Sequence, residues 1–376
     1  MSAEGLIAGR LRFRGRMAVI AIAISFFIMI VAVAVSSGFR KEIRDGVSEV
    51  SGDVILAGAS FNYFGESDPV ACDGEALAEV LAVEGVADVT PVVYRAGIVK
   101  SGDDISGVLV KGVPVTDTLA LQVSIPRRLA STMRLSEGDD MLTYFIGEKV
   151  KARRFKVASV YDSPFEAGEQ VTVYASIDDM RRLNGWSADE ASVLEVSLED
   201  KYRTREGMRA KAREMGEKYV AQASSDKYGQ LFDWLDLIDF NVVAILLLMT
   251  IVAGFNMISG LLILLFQNIS TIGLLKSVGM TDKSISRVFL KVSARLVALG
   301  MAAGNAAALL FCLMQGLTHI IRLNPENYFV SFVPVSVNLP FILVADAVAF
   351  ILIMLLLLIP AKFIAKVDPA QTVKSE

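Results

Sequence analysis

Four stretches of the chain lose their polar positions almost entirely: residues 17–35, 240–266, 296–317 and 339–359. Each is close to or beyond the ~20 helical residues that span a bilayer core. The first follows "RLRFRGR" and precedes "AVAVSSG", which resembles a secretion signal, but its apolar core exceeds the ~7–15 residues of such a signal. It reads as a retained anchor.

Between the first and second runs the texture changes. "GDVILAG" (52–58), "ADVTPVVYRAGIVK" (87–100), "SGVLVKGV" (106–113), "KVASVY" (156–161) and "QVTVYA" (170–175) have the β-branched content of strands. "GEALAEVLAVEG" (74–85), "SIDDMRRLNG" (176–185) and "TREGMRAKAREMGEKY" (204–219) read as helices, with Ser176 and Thr204 as N-caps. "FNYFGESDP" (61–69) is an aromatic, turn-rich loop that packs its own rings or touches lipid or a partner.

The pattern predicts an integral membrane α-helical protein with four transmembrane helices and a large α/β extracytoplasmic domain inserted between helices 1 and 2. Basic residues beside the spans set the orientation. Arg10, Arg12, Arg14 and Arg16, then Lys276, Lys283 and Arg287, then Lys362, Lys366 and Lys374 all fall on one side, which is therefore cytoplasmic. The expected order is a cytoplasmic segment 1–16, helix 1 at 17–38, the outer domain at 39–238 and helix 2 at 239–266. A cytoplasmic segment 267–285, helix 3 at 286–317, an outer loop 318–338, helix 4 at 339–361 and a cytoplasmic tail 362–376 follow.

Composition agrees with a membrane class, at 53% hydrophobic residues and a mean hydropathy of +0.51. The net charge of -4 gives no support to a nucleic-acid partner. Cys72 and Cys312 form no CxxC, and the single His319 cannot build a metal centre. No GxSxG, HExxH or GxxxxGK[ST] occurs, and "GMTDKS" (279–284) lacks the glycine-lysine ending of a phosphate loop. Adjacent acids such as Asp103–Asp104, Asp139–Asp140 and Asp178–Asp179 suit turns and helix starts better than acid/base work. The chain is therefore expected to have no catalytic residue and to bind no cofactor or metal of its own.

Inside the spans, Gly300 and Gly304 form a GxxxG that lets helix backbones approach closely. The contact is expected within the subunit, with a dimer seam as the alternative. Asp346 is the one acid well inside a span, roughly 10 Å deep from the outer face, and Asn305 lies roughly 12 Å deep from the same face. Matching depths predict an Asn305–Asp346 hydrogen bond. A proton relay is the alternative, but no chain of titratable groups leads away.

Residues 271–286, "TIGLLKSVGMTDKSIS", interrupt the apolar runs. Ile272, Leu275 and Val278 at i, i+3 spacing, with Leu274 beside them, predict one short apolar face. Gly279 suits a left-handed helix end, and Thr281 suits the N-cap of the next helix, with Asp282 on its dipole. Such a face, too small to anchor on lipid, predicts a helix gripped by a cytoplasmic partner.

"AGFNMIS" in span two, "IGLLKSVGMTDKSISRVFL" after it and "IPAKFIAKVDPAQTVK" at the end of span four resemble the FtsX/MacB-like permeases of ABC transporters. "LNPENYFVSFVPV" (323–335) and "SSGFRKEIRDGVSEVSGDVIL" (36–56) are similar to the LolC/LolE lipoprotein-releasing branch. The resemblance implies a MacB-like periplasmic core and a multi-pass protein of the bacterial inner membrane with both termini cytoplasmic. It implies that Ile272, Gly273, Leu274, Leu275, Lys276, Ser277, Val278 and Gly279 form a coupling helix docked on a cytoplasmic ABC ATPase dimer. ATP and Mg would sit on that subunit. The other partners implied are a second permease copy or sister permease, a lipoprotein substrate and an extracytoplasmic carrier. Ile24, Phe27 and Met29 with Met249, Phe255 and Met257 would line the lipoprotein entrance. An acid-base pair common in the family is replaced here by Gln267-Asn268. MacB-like efflux and FtsX-like control of a cell-wall hydrolase are the competing functions.

Overall fold

The computed structural model describes residues 16–361 except 64–66, 103, 115–119, 148–149, 163–170, 325–327 and 329. Arg10, Arg12, Arg14, Lys362, Lys366, Lys374 and the tail 362–376 lie outside the described residues, as does part of the aromatic loop. The chain divides into two units. One comprises the described residues of Met1–Lys41, Leu235–Arg322 and Phe332–Glu376; the other comprises those of Glu42–Trp234 and Leu323–Ser331.

Among the described residues four helices are long and apolar enough to cross a membrane: α1 (Arg16–Ser51), α7 (Gly229–Gln267), α9 (Asp282–Thr318) and α10 (Leu339–Ala361). Each turns one narrow stripe inward at helical spacing. On α1 these are Ile22, Phe26, Met29, Ile30 and Val33; on α7, Ala253, Met257, Leu261 and Leu264. On α9 the stripe runs through Val297, Gly300, Gly304, Ala308 and Cys312, and on α10 through Ile342, Asp346, Ala349, Ile353 and Leu357. The opposite faces carry Ile24, Leu247, Phe255, Leu310, Leu343 and Leu355, all exposed. A bundle apolar on both its inner and outer faces needs lipid, not water, around it. The helical backbone outlasts three of the apolar runs: α1 continues past residue 38 to Ser51, α7 starts at Gly229, before 239, and α9 starts at Asp282, well before 296. Hydropathy falls at these points, but no proline stops the helix, and Phe39, Ile43 and Val47 keep a buried i, i+4, i+8 spacing.

Among the described residues the second unit has eleven strands: β1 (Val54–Ala57), β2 (Val70–Ala71), β3 (Val86–Ser101), β4 (Asp104–Val113), β5 (Gln122–Pro126), β6 (Asp140–Phe145), β7 (Lys151–Tyr161), β8 (Thr172–Ser176), β9 (Glu190–Ala191), β10 (Val193–Leu198) and β11 (Val220–Ala223). Nine pair in the order β11-β1-β10-β3-β4-β8-β5-β7-β6, and β6 also pairs with β3, so six strands close on themselves. The 16-residue β3 makes this possible: residues 86–92 pair with β10 and residues 93–101 with β4. Closure hides strand edges that would otherwise invite association. The α-helices of this unit are α2 (Gly74–Leu81), α3 (Arg127–Met133), α4 (Ile177–Asn184), α5 (Arg205–Met215) and α6 (Ser224–Lys227), with a short 3-10 turn at Asp200–Tyr202. Ser176 and Thr204 cap α4 and α5 through their side chains.

Phe61 and Tyr63 of the aromatic loop pack edge-on against each other and Tyr63 against Tyr94, at centroid distances of 4.7 and 5.2 Å. Behind them Glu195 accepts from Tyr94 Oη at 2.5 Å and from Lys111 Nζ at 2.8 Å, while Lys111 Nζ also donates to Val50 O at 2.7 Å. Lys227 Nζ donates to Tyr63 Oη at 3.0 Å. Burial, with nearby Lys111, pushes the Lys227 ammonium from 10.5 down to about 8, against the opposing pull of Glu195. Between those values the unfolded chain holds a proton that the folded one has shed, so stability rises with pH there and the full cost persists below 8. Tyr63 and Tyr228, raised by burial, act the other way above pH 10. The full-length chain in detergent should therefore gain thermal stability from pH 8 to 10, and Lys227→Met should be more stable at pH 7 and lose that slope. Parallel melting curves for both proteins across the window would refute this.

Candidate functional site

The break between α7 and α9 holds α8 (Ile269–Ser277). Asn268 sits between α7 and α8 with φ -116 and ψ 22, and its Nδ2 donates to Leu264 O at 2.8 Å, satisfying a carbonyl left over where α7 ends. Gly279 closes α8 at φ 91: its N–H donates to Lys276 O, and Met280 N–H to Leu275 O. Thr281 then caps α9 by accepting from Ser284 N. Lys276 is pinned by an ion pair with Asp282 at 2.9 Å across the turn.

The expected single apolar face is divided. Ile272 is 0% exposed, in one cluster with Ile285, Val288 and Phe289 of α9, and Leu275 packs on the same cluster. Leu274 is 61% and Val278 79% exposed. Each i+3 step falls ~60° short of a full turn, so Val278 lies ~120° from Ile272. Leu274 and Val278, four apart, are only ~40° from one another. They share the outward face with Ser270, Ser277 and Gly279, also exposed. Ile272 and Gly273 are buried within this chain and correct the expectation that all eight residues from Ile272 to Gly279 could meet a partner.

The six entrance residues also separate. Ile24 and Phe255 are exposed. Phe27 packs edge-on against Phe311 at 6.0 Å, and Met249 is partly buried on the bundle core. Met29 and Met257 lie on the inward stripes, 2% and 0% exposed, and line no open surface. Residue type suggested them, whereas helical phase decides.

Between α1 and α9 the contact is nearly backbone to backbone. A Cβ on Gly300 would lie 2.7 Å from Ile22 Cγ2, and one on Gly304 would lie 2.4 Å from Ala23 O. Between α9 and α10, Asn305 Nδ2 donates to Asp346 Oδ2 at 2.5 Å. Asp346 is buried, and the Oδ1 atoms of both residues have no partner. Asp346→Leu should thus orphan the Asn305 amide and cost ~1–3 kcal/mol. The double variant Asn305→Leu, Asp346→Leu should recover part of that cost, read as a non-additive term in detergent melting. Strictly additive losses would mean that the bond contributes nothing.

The other end of the bundle holds residues that the sequence pattern did not single out. Ser36 Oγ donates to Asp239 Oδ1 at 3.1 Å, and the Arg40 guanidinium pairs with Asp239. Gln315 is buried; its Nε2 donates to Ile321 O and Val333 O at 3.2 and 3.1 Å, and its Oε1 accepts from Ile321 N at 3.1 Å. The available signal was Asp239, the last of three acids in "DWLDLIDF" (233–240), directly ahead of an apolar run, and an amide inside another. His319 ends α9 at φ 48 with its ring 4.0 Å from that of Phe332. Among the described residues no group of three or more His, Cys, Asp or Glu could hold a metal, and Cys72 and Cys312 are free.

Residues 243–369 match the family described as FtsX-like permease C-terminal. The lipoprotein-releasing system transmembrane protein LolC of Xylella fastidiosa (strain 9a5c) is 21% identical, over 98% of this chain and 95% of that protein. The lipoprotein-releasing system transmembrane protein LolE of Haemophilus influenzae is 25% identical over 50% of this chain and 48% of that protein. Among solved structures, the periplasmic region of MacB from Actinobacillus actinomycetemcomitans is 12% identical and covers 48% of this chain and 91% of that one, with a TM-score of 0.31.

Proposed function

We propose, from the premise that residues 243–369 are an FtsX-like permease domain, that the chain is the permease subunit of an ABC transporter that releases lipoproteins from the bacterial inner membrane. The observation that carries this reading is the colinear similarity to LolC over 98% of this chain and 95% of the relative. In this reading the chain crosses the inner membrane four times with its termini in the cytoplasm. ATP is hydrolysed, with Mg, on a separate cytoplasmic ATPase dimer. The permease pairs with a second copy or a sister permease and passes the lipoprotein to an extracytoplasmic carrier.

The mechanical part falls to α8. The exposed pair Leu274 and Val278 is the surface an ATPase would grip, while Ile272 and Leu275 root the same short helix in the bundle core beside α9. A push on the outer face is thereby passed to the inner one, and the Thr281 cap and the Lys276–Asp282 pair hold the turn that follows. Acyl chains leaving the membrane would meet the outward apolar surface of the spans, with Ile24 and Phe255 among its members.

The test is reconstitution of the chain with its co-purified ATPase and permease partners into proteoliposomes carrying a purified triacylated lipoprotein. ATP-dependent transfer of that protein to a soluble carrier, absent for its non-acylated form, is the expected result. ATP hydrolysis without any transfer, or transfer indifferent to acylation, would overturn the reading.

A further inference from the structure

The end of α1 away from α8 is held from two directions by contacts of different kinds. On one side a strap, residues 332–336, lies against it: Ser336 N donates to Ala34 O at 2.9 Å, and a Cβ on Gly38 would sit 2.3 Å from Pro334 O. These are backbone contacts with no room for slip. The strap is itself fixed to α9, since Gln315 bonds Val333 O and both backbone groups of Ile321, and Val333 N donates to Ile321 O at 3.0 Å. Lower down, Gly300 and Gly304 bring α9 onto α1 at the same close range. So α1, α9 and the strap are joined along their length by contacts that a small displacement would break only at high steric and polar cost.

On the other side, Asp239 of α7 bridges to α1. Asp239 takes both the Ser36 hydroxyl and the Arg40 guanidinium. Below it the seam is made of side-chain packing, in which Met29 of α1 and Met257 of α7 share a cluster. Flexible thioethers repack readily. Ser36 is 6% exposed, whereas the Arg40 side chain is 52% exposed, so the pair has one dry and one wet arm. The wet arm is the kind of ion pair that is worth little at rest and exchanges easily with solvent.

We propose that Asp239, with Ser36 and Arg40, is a latch on the α1–α7 seam, and that α7 parts from α1 there during the transport cycle while α1 stays with α9 and the strap. The inference rests on the lipoprotein-releasing reading and adds to it that acyl chains, having met the outward surface of the spans, pass inward at this seam. The seam's rigid wall is the α1 side and its moving wall is α7. Asp239 is a positioning residue: it holds the seam closed and need not touch the substrate.

The test uses Ser36→Cys, Asp239→Cys in the full-length chain, assembled with its co-purified ATPase in proteoliposomes. Two readouts are taken. The first is the rate at which the disulfide forms, without nucleotide and during ATP turnover; the latch predicts a severalfold slower rate during turnover. An unchanged rate overturns the latch whether or not any lipoprotein is released. The second is release of the triacylated lipoprotein, expected to fall about tenfold in the oxidised variant and to return on reduction. Oxidised protein that releases as well as reduced protein overturns the latch and leaves the transport reading standing. A parent chain that releases nothing overturns the transport reading, and the disulfide rate alone then decides whether the seam moves.

Discussion

Leu274→Asp, Val278→Asp is expected to strip the ATPase from the purified permease and to abolish ATP-driven release, while the chain folds and inserts normally. Both side chains stand in solvent, so their replacement removes no intrachain packing. If they are anchors in a partner's groove, each contributes ~2 kcal/mol or more. Loss of both, with charge placed where a dry contact was, then lowers affinity by roughly a thousandfold. The control is Ile272→Asp, which puts a carboxylate inside the cluster shared with Phe289 and should lower the melting temperature sharply. A Leu274, Val278 variant that melts like the parent yet keeps its ATPase would remove α8 as the docking element.

Choosing those two residues needed the structure. Local chemistry in this segment was legible: Gly279 and Thr281 stop one helix and start the next because glycine tolerates φ 91 and threonine can accept from a free N–H. Rotation about a helix axis was not. In a membrane chain both faces are apolar, so hydrophobicity no longer tells inside from outside, and Val278, Met29 and Met257 were sorted by spacing or residue type alone. In the second unit the opposite difficulty arises. The run "VLEVSL" (193–198) reads poorly as a central strand because of Glu195, yet it lies between β1 and β3. Its charge is met by Lys111 and Tyr94, from strands 84 and 101 residues away in sequence, which no local window contains. Asp239 escaped notice for the same reason: its partners Ser36 and Arg40 come some two hundred residues earlier.

Gly304→Leu should be the most damaging glycine substitution at the α1–α9 contact, and the reason is what its first atom meets. The Cβ alone would lie 2.4 Å from Ala23 O, 2.9 Å from Phe26 Cβ and 3.1 Å from Phe27 N. Two of those neighbours are backbone atoms, which cannot rotate aside, so α1 and α9 must move apart. Separation forfeits the close packing that holds helices together where lipid offers no hydrophobic drive. Gly304→Ala should cost ~1–3 kcal/mol, the range for an overpacked core, and the leucine more. Gly254 supplies the comparison: its added Cβ would meet Leu356 Cδ1 at 2.5 Å, the far end of a side chain that can turn away. Gly254→Ala should therefore melt within a few degrees of the parent. Equal losses at 254 and 304 would show that crowding of any kind is what the bundle resists. Unequal losses in the stated order would tie α1 to α9 as one body, which is the condition for α7 to be the wall that moves.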